Sequence, residues 1–468
     1  MKKKGVLITI IVILILLVLA GGTFAYVYFA TDLLKTDKEL FAKYFVQIAD
    51  EEKGMSPTIL TEYENKKLST PYTNNGTFTV NSDLLTDTST DLTMQVVEGL
   101  VNYGNNTNIS FSGKVDNPNK KVEENVTINY TDTVNLPFTY KQVGDVYGIQ
   151  ADILSPSYIS VENNNLQELF QKLGTTDVTN IPNKIEAQEV QSLQFTEEEL
   201  IHISTQYFIP MFEGLSEEKF LKTENSDGSI SYTLTITNVE LRDILVTMLQ
   251  TLKSDTMMLT KINNIVAEMY EENAVTITAE DIQELIDSLT SADIVEEMNI
   301  AITVTQKDGK TNKVDIKVDD VTIEMLMEQT DSNIVYTINI AQQGNMSLTI
   351  QIRYEGVTTN TVKEVLNITI NVPDSTNTIY TFENTLNFGG TVEIADFDTN
   401  NSILINDYSE EQLQFLILQI AYIIEQTNTS QMTQIGFPTE LGNPMIMWIY
   451  GPIEGLNNGT TVTDNSVA

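Results

Sequence analysis

Apolar and polar residues alternate with a period of two over much of this chain, and the alternation predicts antiparallel β-strands. The Asp308-Gly309 pair separates two alternating runs and is typical of a tight hairpin turn. Pro71 and the Asn-Asn-Gly at residues 74–76 predict a linker over residues 66–76. The strands predicted from alternation include Thr77 to Val80, Asn108 to Val115, Val126 to Tyr130, Val146 to Ile149, Ile300 to Val304, Val314 to Val318, Val335 to Ile340, Ser347 to Ile352, Leu366 to Val372, Tyr380 to Leu386 and Thr391 to Ile394.

A second pattern, with apolar residues three and four positions apart, predicts helices that begin at capping boxes. In a capping box, a hydroxyl side chain and a side chain three residues later satisfy each other's free backbone N–H groups. The predicted helix starts are Thr36 with Glu39, Thr196 with Glu199, Thr278 with Asp281, and Ser409 with Gln412.

The predicted helix from Glu410 to about Thr427 is apolar nearly all round, and we expect it to be buried against a sheet. One apolar face is enough for packing on a sheet, so the second face needs another cover. An apolar ligand or a second layer of protein would provide that cover. The residues expected to form this ligand site or core are Leu413, Leu416, Ile420 and Ile424.

Residues 5–31 carry no charged side chain, which predicts a single transmembrane helix. A cleaved signal peptide is the alternative, but its apolar region is normally shorter than this one. Lys2, Lys3 and Lys4 precede the apolar run and place the N-terminus in the cytoplasm, with the rest of the chain outside. The predicted location is therefore the cytoplasmic membrane, single-pass, with a C-terminal ectodomain.

These patterns together predict an α+β fold, in which an N-terminal transmembrane helix precedes an ectodomain of long antiparallel β-meanders with packed helices. The predicted divisions are a cytoplasmic stub and transmembrane helix (1–31), a juxtamembrane helical segment (32–66), a first β-rich lobe with helices (67–237), helices with a second antiparallel meander and the buried helix (238–453), and a disordered tail (454–468).

Charge and composition exclude some classes of function for this protein. The chain has 65 acidic and 26 basic residues, a formal net charge of −39, and two arginines, Arg242 and Arg353. Nucleic-acid binding is excluded because it depends on clustered lysine and arginine. The absence of cysteine rules out disulfides and thiolate chemistry, and an exported chain of this kind fits a Gram-positive bacterium.

Catalytic motifs are missing from the sequence, and no cofactor is expected. His202, the single histidine, has no Gly-x-Ser-x-Gly elbow to accompany it, and we interpret it as a structural or surface histidine. Walker, Gly-x-Gly-x-x-Gly and aspartic-protease motifs are likewise absent. The prediction is that the protein is not an enzyme, although a pair of carboxylates could in principle support glycoside hydrolysis.

The best candidate metal site is the segment from Asp396 to Asp407, whose spacing is similar to a calcium-binding loop. Oxygen-bearing side chains of Asp396, Asp398, Asn400 and Asp407 occupy positions 1, 3, 5 and 12. Position 6 is Asn401 in place of glycine, and the aspartate at position 12 is shorter than the usual glutamate. We therefore favour a plain turn between two strands over a calcium site.

The basic start and apolar span that run into "FATDLLKTDKELFAKYF", together with "LQELFQKLGTTDVTNIPNKIE" at 166–186, resemble a group of single-span, membrane-anchored exported proteins of Gram-positive bacteria. That resemblance implies no activity and no site residue. At the level of the fold, the predicted meander with apolar helices is also similar to the half-barrel carriers of lipids and lipoproteins.

The sequence thus favours a membrane-anchored extracytoplasmic binding protein, which could hold an apolar ligand between sheet and helices. A lipid or a protein at the cell surface is the expected partner. The alternative is a cell-surface scaffold or protein-interaction module, and a carboxylate-dependent hydrolase is the third class.

Overall fold

The computed structural model describes residues 35–49, 52–82, 105, 107–129, 135–152, 154–173, 184, 196–270, 276–291, 298–342, 346–371, 378–398, 400, 402–420 and 422. The predicted transmembrane helix and the predicted C-terminal tail lie outside these residues. Within the ranges given, no helix has both the length and the apolar character needed to cross a bilayer.

The described residues form sixteen strands together with helices, which confirms the predicted α+β class and its β-rich character. Antiparallel pairs predominate, and β16 runs parallel to β6, so the β-structure is mixed. The strands are β1 Tyr72–Ser82, β2 Asn108–Asp116, β3 Lys121–Asn129, β4 Asn135–Val143, β5 Val146–Ala151, β6 Ser155–Glu162, β7 Phe220–Glu224, β8 Ile230–Thr237, β9 Asn299–Lys307, β10 Lys310–Val318, β11 Val321–Gln329, β12 Asn333–Gln342, β13 Ser347–Glu355, β14 Thr361–Asn371, β15 Thr378–Phe388 and β16 Ser402–Leu404.

Four of the helices begin directly after the predicted caps. The helices are α1 Asp37–Val46, α2 Thr58–Ser69, α3 Leu166–Lys172, α4 Glu197–Ile203, α5 Ile209–Glu213, α6 Asn238–Ser254, α7 Thr256–Tyr270, α8 Ala279–Ser291 and α9, residues 410–420. A π-helical turn, Ser204–Phe208, separates α4 from α5. All four predicted capping boxes are confirmed, because each hydroxyl accepts a backbone N–H and each partner side chain accepts from the cap residue.

The chain divides into two compact units, which are described separately. Unit 1 contains the described residues of 1–62, 187–330 and 334–350, and unit 2 contains those of 63–186, 331–333 and 351–468. The domain divisions expected from the sequence stay predictions.

In unit 1, the strand order β12-β11-β10-β9-β8-β7 is a run of antiparallel neighbours, and α1 packs against β7, β8, β9 and β10. Tyr44 of α1 stacks on Tyr232 of β8, with ring centroids 5.2 Å apart. The hairpin turn predicted at Asp308-Gly309 is confirmed, since both residues have positive φ and Lys307 pairs with Lys310. A separate helical core forms where α6, α7 and α8 bury Leu249, Leu252, Met258, Ile262 and Ile282.

In unit 2, the strand order is β16-β6-β5-β4-β3-β2-β1-β15-β14. Tyr63 of α2 is 1% exposed and makes edge-on ring contacts with Tyr354 and Phe388. Near β6, α3 and α9 bury Leu166, Leu169 and Leu413 together. α2 therefore packs beside β14 and β15, and α3 and α9 pack beside β6.

Two local predictions are wrong. The linker expected over residues 66–76 is instead the end of α2 and the first half of β1, because Pro71 falls between the two elements and ends the helix. The strand expected at Thr391 to Ile394 is irregular chain. Lys114 and Lys121 bind the backbone carbonyls of Glu393 and Ile394, so side chains satisfy acceptors that a neighbouring strand would otherwise pair.

Candidate functional site

The middle strands of unit 2 have one polar face and one apolar face. The polar face is built from Thr, Asn and Ser; for example, Asn75, Thr77 and Thr79 of β1 are exposed. The next residues along each strand point the other way, because side chains alternate across a strand. The opposite face is therefore the one on which the apolar residues of these strands meet.

The register brings these apolar residues into two adjacent cross-strand rows, which we call the apolar rows. Every member is half-buried. The first row is Phe111, Val126 and Phe138, and the second is Leu366, Phe382, Phe78, Ile109, Ile128 and Leu136.

Gly76 of β1 makes the first row possible. A Cβ at this position would collide with the Phe111 ring and with the Glu383 carbonyl, so glycine lets the ring lie flat over the strand. Phe111 then stacks on Phe382, with ring centroids 5.6 Å apart and planes 14° from parallel. Because such stacked pairs stabilise beyond their buried area, the aromatic part of the surface is held in a fixed arrangement.

A polar cluster borders the apolar rows on the same face. Glu124 of β3 lies across Gly113 of β2, where a Cβ would overlap its carboxyl group, and accepts a 2.7 Å hydrogen bond from Asn74 Nδ2 of β1. Burial raises the pKa of Glu124, and the hydrogen bond from Asn74 acts against that rise. The carboxylate is therefore partly desolvated at the edge of an apolar surface.

Glu364 of β14 forms the other half of the polar cluster, and its oxygens are occupied. Oε1 accepts from the Tyr63 hydroxyl at 2.7 Å and from Lys67 Nζ at 3.0 Å, and Oε2 accepts from Asn384 Nδ2 at 3.2 Å. Burial lowers the pKa of Lys67, but the Glu364 carboxylate outweighs it and the net shift is upward. Glu364 therefore ties α2 to the sheet.

The apolar residues predicted on the helix at 410–427 divide between two environments. Leu413 is buried in the core with Leu166 and Leu169, whereas Leu416 and Ile420 are half-buried. Ile424 lies outside the described residues. Phe415, Leu418 and Tyr422 are 62%, 39% and 59% exposed, so a second apolar stripe of α9 faces solvent.

The residues of the candidate calcium loop contact other protein groups. Asp396 Oδ1 pairs with Lys121 Nζ at 2.7 Å, and Asp398 Oδ1 accepts from the backbone and side-chain nitrogens of Asn400. Asp407 lies in a short 3-10 turn that follows β16. Within the described residues, no group of three or more acidic or histidine side chains is close enough to share a metal ion.

His202 lies in the helical part of unit 1. Its Nε2 is 2.6 Å from Asp255 Oδ2, which also accepts from the Tyr207 hydroxyl at 2.8 Å. Asp255 Oδ1 accepts from Met258 N at 3.1 Å and so caps α7. These contacts join α4, the π-helical turn and α7, which is the structural arrangement that we expected for this histidine.

Three cavities lie elsewhere. One of 270 Å³ lies between Tyr207, Met211 and Ile244 in unit 1, and one of 380 Å³ lies beside Lys261. A third, of 700 Å³, is lined by Lys114, Lys121 and neighbouring residues on the polar side of unit 2. None of these three is lined by described residues of α9 or of the apolar rows.

The sequence reasoning missed the apolar rows as a site. The signal was present, because alternation marks Phe78, Phe111, Val126 and Ile128 as facing one side of their strands. Alternation within one strand does not specify which strands pair, so it did not show that β1, β2, β3 and β15 lie side by side.

The chain matches no protein-family model, no curated protein sequence and no solved structure. The site is therefore interpreted from its own geometry.

Proposed function

We propose that this protein is a membrane-anchored extracytoplasmic binding protein that holds an apolar ligand, such as an acyl chain, on the apolar rows of unit 2. The observation that carries the proposal is the set of nine half-buried apolar side chains on one sheet face. Soluble monomers rarely expose large contiguous apolar patches, and those that do so commonly bind something there.

Contact with the apolar rows can supply enough free energy to bind such a ligand. Each methylene moved from water to an apolar contact contributes about 0.8 kcal/mol when it is fully covered. A chain of ten to twelve carbons lying along one face is covered on about one side, which still provides about 4 kcal/mol by the same measure. The stacked Phe111 and Phe382 rings add a rigid surface, so little side-chain entropy is lost on binding.

The location is part of the same proposal. It is supported by the uncharged residues 5–31 and by the three lysines that precede them. N-terminal sequencing of the membrane fraction should give the unprocessed start, whereas a chain that begins at Tyr26 in the medium would contradict the anchor.

A scaffold or partner-binding module is the second candidate function. The exposed stripe of Phe415, Leu418 and Tyr422 on α9 favours it, because exposed apolar residues are common at protein interfaces. This function does not need the apolar rows to bind a small molecule, so the experiment below separates the two.

The test uses the full-length protein purified into lipid-free amphipol, with native mass spectrometry and extraction of bound lipid. Ile128→Asn places a polar amide in the second apolar row, and Thr127→Asn makes the same change in strand propensity on the polar face of β3. We expect co-purifying apolar ligand with the wild type and with Thr127→Asn, and a loss of at least tenfold with Ile128→Asn.

Two results would contradict ligand binding. One is recovery of no ligand from the wild-type protein, and the other is equal recovery from both variants. Either result leaves the scaffold function as the better account.

A further inference from the structure

Three buried oxygen atoms of the polar cluster accept no hydrogen bond from any described residue. They are Asn74 Oδ1, Glu124 Oε2 and Asn384 Oδ1. Asn74 is 9% exposed, so its carbonyl oxygen is well removed from bulk solvent. A buried acceptor without a partner costs about 1–3 kcal/mol, and more when it is charged, so a cluster of three requires an explanation.

The three residues share one side of the sheet and lie next to one another. Asn74 pairs with Leu386 and Gly76 pairs with Asn384, so Asn74 and Asn384 are diagonal neighbours on β1 and β15. Glu124 reaches Asn74 across the glycine of β2. Two residues further toward the second row, β15 carries Phe382 and β3 carries Val126. On β1 the corresponding residue is Gly76, which the Phe111 ring covers.

The nearby donors of the chain are already used. Asn74 Nδ2 donates to Glu124 Oε1, and Asn384 Nδ2 donates to Glu364 Oε2. Lys67 Nζ binds Glu364 and lies 5.4 Å above the Tyr63 ring. The three oxygens of the cluster are therefore left without a donor from the described residues, while the amide N–H groups of Asn74 and Asn384 have internal partners.

We propose that this cluster binds the ammonium head group of an amphiphile whose hydrocarbon tail lies on the apolar rows. A primary ammonium has three N–H donors and one positive charge, which matches three acceptor oxygens of which one belongs to a carboxylate. The inference rests on the proposed function, since it specifies the head group of the same ligand.

Charge selects the ammonium over an anionic head group. Phosphate, sulfate or carboxylate would bring further acceptors against acceptors, and the formal net charge of −39 adds a long-range repulsion. A neutral hydroxyl would satisfy one of the oxygens, but it would leave the Glu124 charge without a counter-ion.

The experiment measures the binding of matched twelve-carbon probes by isothermal titration calorimetry, below the concentrations at which they form micelles. The probes are dodecylammonium, dodecanol and dodecanoate, with butylammonium as the short-chain control. We expect dodecylammonium to bind at least tenfold more tightly than dodecanol, because a charged hydrogen bond is stronger than a neutral one. Dodecanoate and butylammonium should bind more weakly than both.

Glu124→Gln removes the charge and keeps the shape of the side chain. Glu123→Gln removes an equal charge from the next residue of β3, which lies on the polar face beside Lys114 and Lys141. We expect Glu124→Gln to reduce dodecylammonium affinity at least tenfold, whereas Glu123→Gln leaves it unchanged. Unaltered dodecanol binding by Glu124→Gln would show that the variant is folded.

The outcomes separate this inference from the proposed function. If dodecanol and dodecylammonium bind equally, or if Glu124→Gln and Glu123→Gln behave alike, buried water satisfies the oxygens and the ammonium site is refuted. Binding of calcium alone that is lost in Glu124→Gln refutes it in favour of a metal site. If none of the twelve-carbon probes binds, the proposed function and this inference fail together.

Discussion

Replacing Asp255 should loosen the helical core of unit 1, because one carboxylate joins three elements there. The Asp255→Ala variant loses the contact with His202, the hydrogen bond from the Tyr207 hydroxyl and the cap on Met258 N. The Asp255 side chain is 9% exposed and that of His202 is 29% exposed, so solvent replaces these contacts poorly.

The expected destabilisation can be estimated from its parts. Loss of a helix cap costs about 1 kcal/mol, and loss of a hydrogen bond to a charged acceptor costs about 1.5–3 kcal/mol. The Tyr207 hydroxyl is left without its acceptor at a residue that is 4% exposed. Because the contacts share one carboxylate they do not add fully, and we expect about 3 kcal/mol in total.

The effect should depend on pH in a defined direction. Burial raises the pKa of Asp255, but hydrogen bonds from His202, the Met258 backbone and Tyr207 outweigh it and lower the pKa overall. A carboxyl group with a lowered folded-state pKa stabilises the fold above its unfolded value of about 3.9, and this stabilisation is lost as the pH falls through the folded value. The difference between wild type and Asp255→Ala should therefore be full near pH 7 and shrink below about pH 4.

Hydrogen exchange measured by mass spectrometry is the suitable assay, because it reports local opening in a chain with two units. Amides of the first turns of α7 should exchange about 100-fold faster in Asp255→Ala at pH 7. Asp243→Ala, at a side chain 62% exposed on α6, is the matched control and should leave the same amides unchanged. Equal protection of α7 in Asp255→Ala and wild type would refute the reasoning.

Three further predictions concern other parts of the chain. Gly76→Ala should lower stability by about 1–3 kcal/mol in urea titration, since the space over it is filled, whereas Gly390→Ala, which has open space, should be near neutral. Thr237→Ala removes the capping box of α6 and should cost about 1 kcal/mol in thermal unfolding, while Thr247→Ala at an exposed position should cost less than about 0.5 kcal/mol. Calcium should bind the loop at 396–407 more weakly than the micromolar range, and micromolar binding that Asp398→Ala abolishes would contradict this.

Local signals in the sequence predicted helix starts and one turn accurately. The capping box at Thr36 and Glu39 and the hairpin turn at Asp308-Gly309 involve groups within four residues of each other, so the neighbouring sequence contains the whole interaction. The alternation of apolar residues likewise predicted most strands, because side-chain direction is set residue by residue.

Strand pairing could not be predicted in the same way. β1 pairs with β15, so that Tyr72 lies opposite Phe388, and this contact is decided by packing over the whole chain. The linker prediction failed for a related reason. Gly76 looks like a turn residue in isolation, but the structure uses it to admit the Phe111 ring, whose position depends on the pairing of β1 with β2.

The candidate site could not be predicted from the sequence for the same reason, because it also depends on strand pairing. The sequence directed attention to α9, where consecutive apolar residues are easy to see, and Leu413 of that helix is buried in a core. The apolar rows draw their nine side chains from six strands, and the polar cluster combines Asn74, Glu124, Asn384 and Glu364 from four. Pairings between distant segments generate these sets, so one-dimensional periodicity does not reveal them.

The terminal strands of the order offer little free edge for association with other chains. An open strand edge beside an apolar face would favour association with other chains. In unit 1, Asp37 of α1 accepts the backbone N–H of Lys222 on β7, the last strand of the order. In unit 2, β16 ends the order and is three residues long, too short to template a further strand. Because both terminal strands are protected in this way, backbone pairing at these edges is disfavoured, and a partner of unit 2 would have to bind through side chains, either on the apolar rows or on the exposed stripe of Phe415, Leu418 and Tyr422.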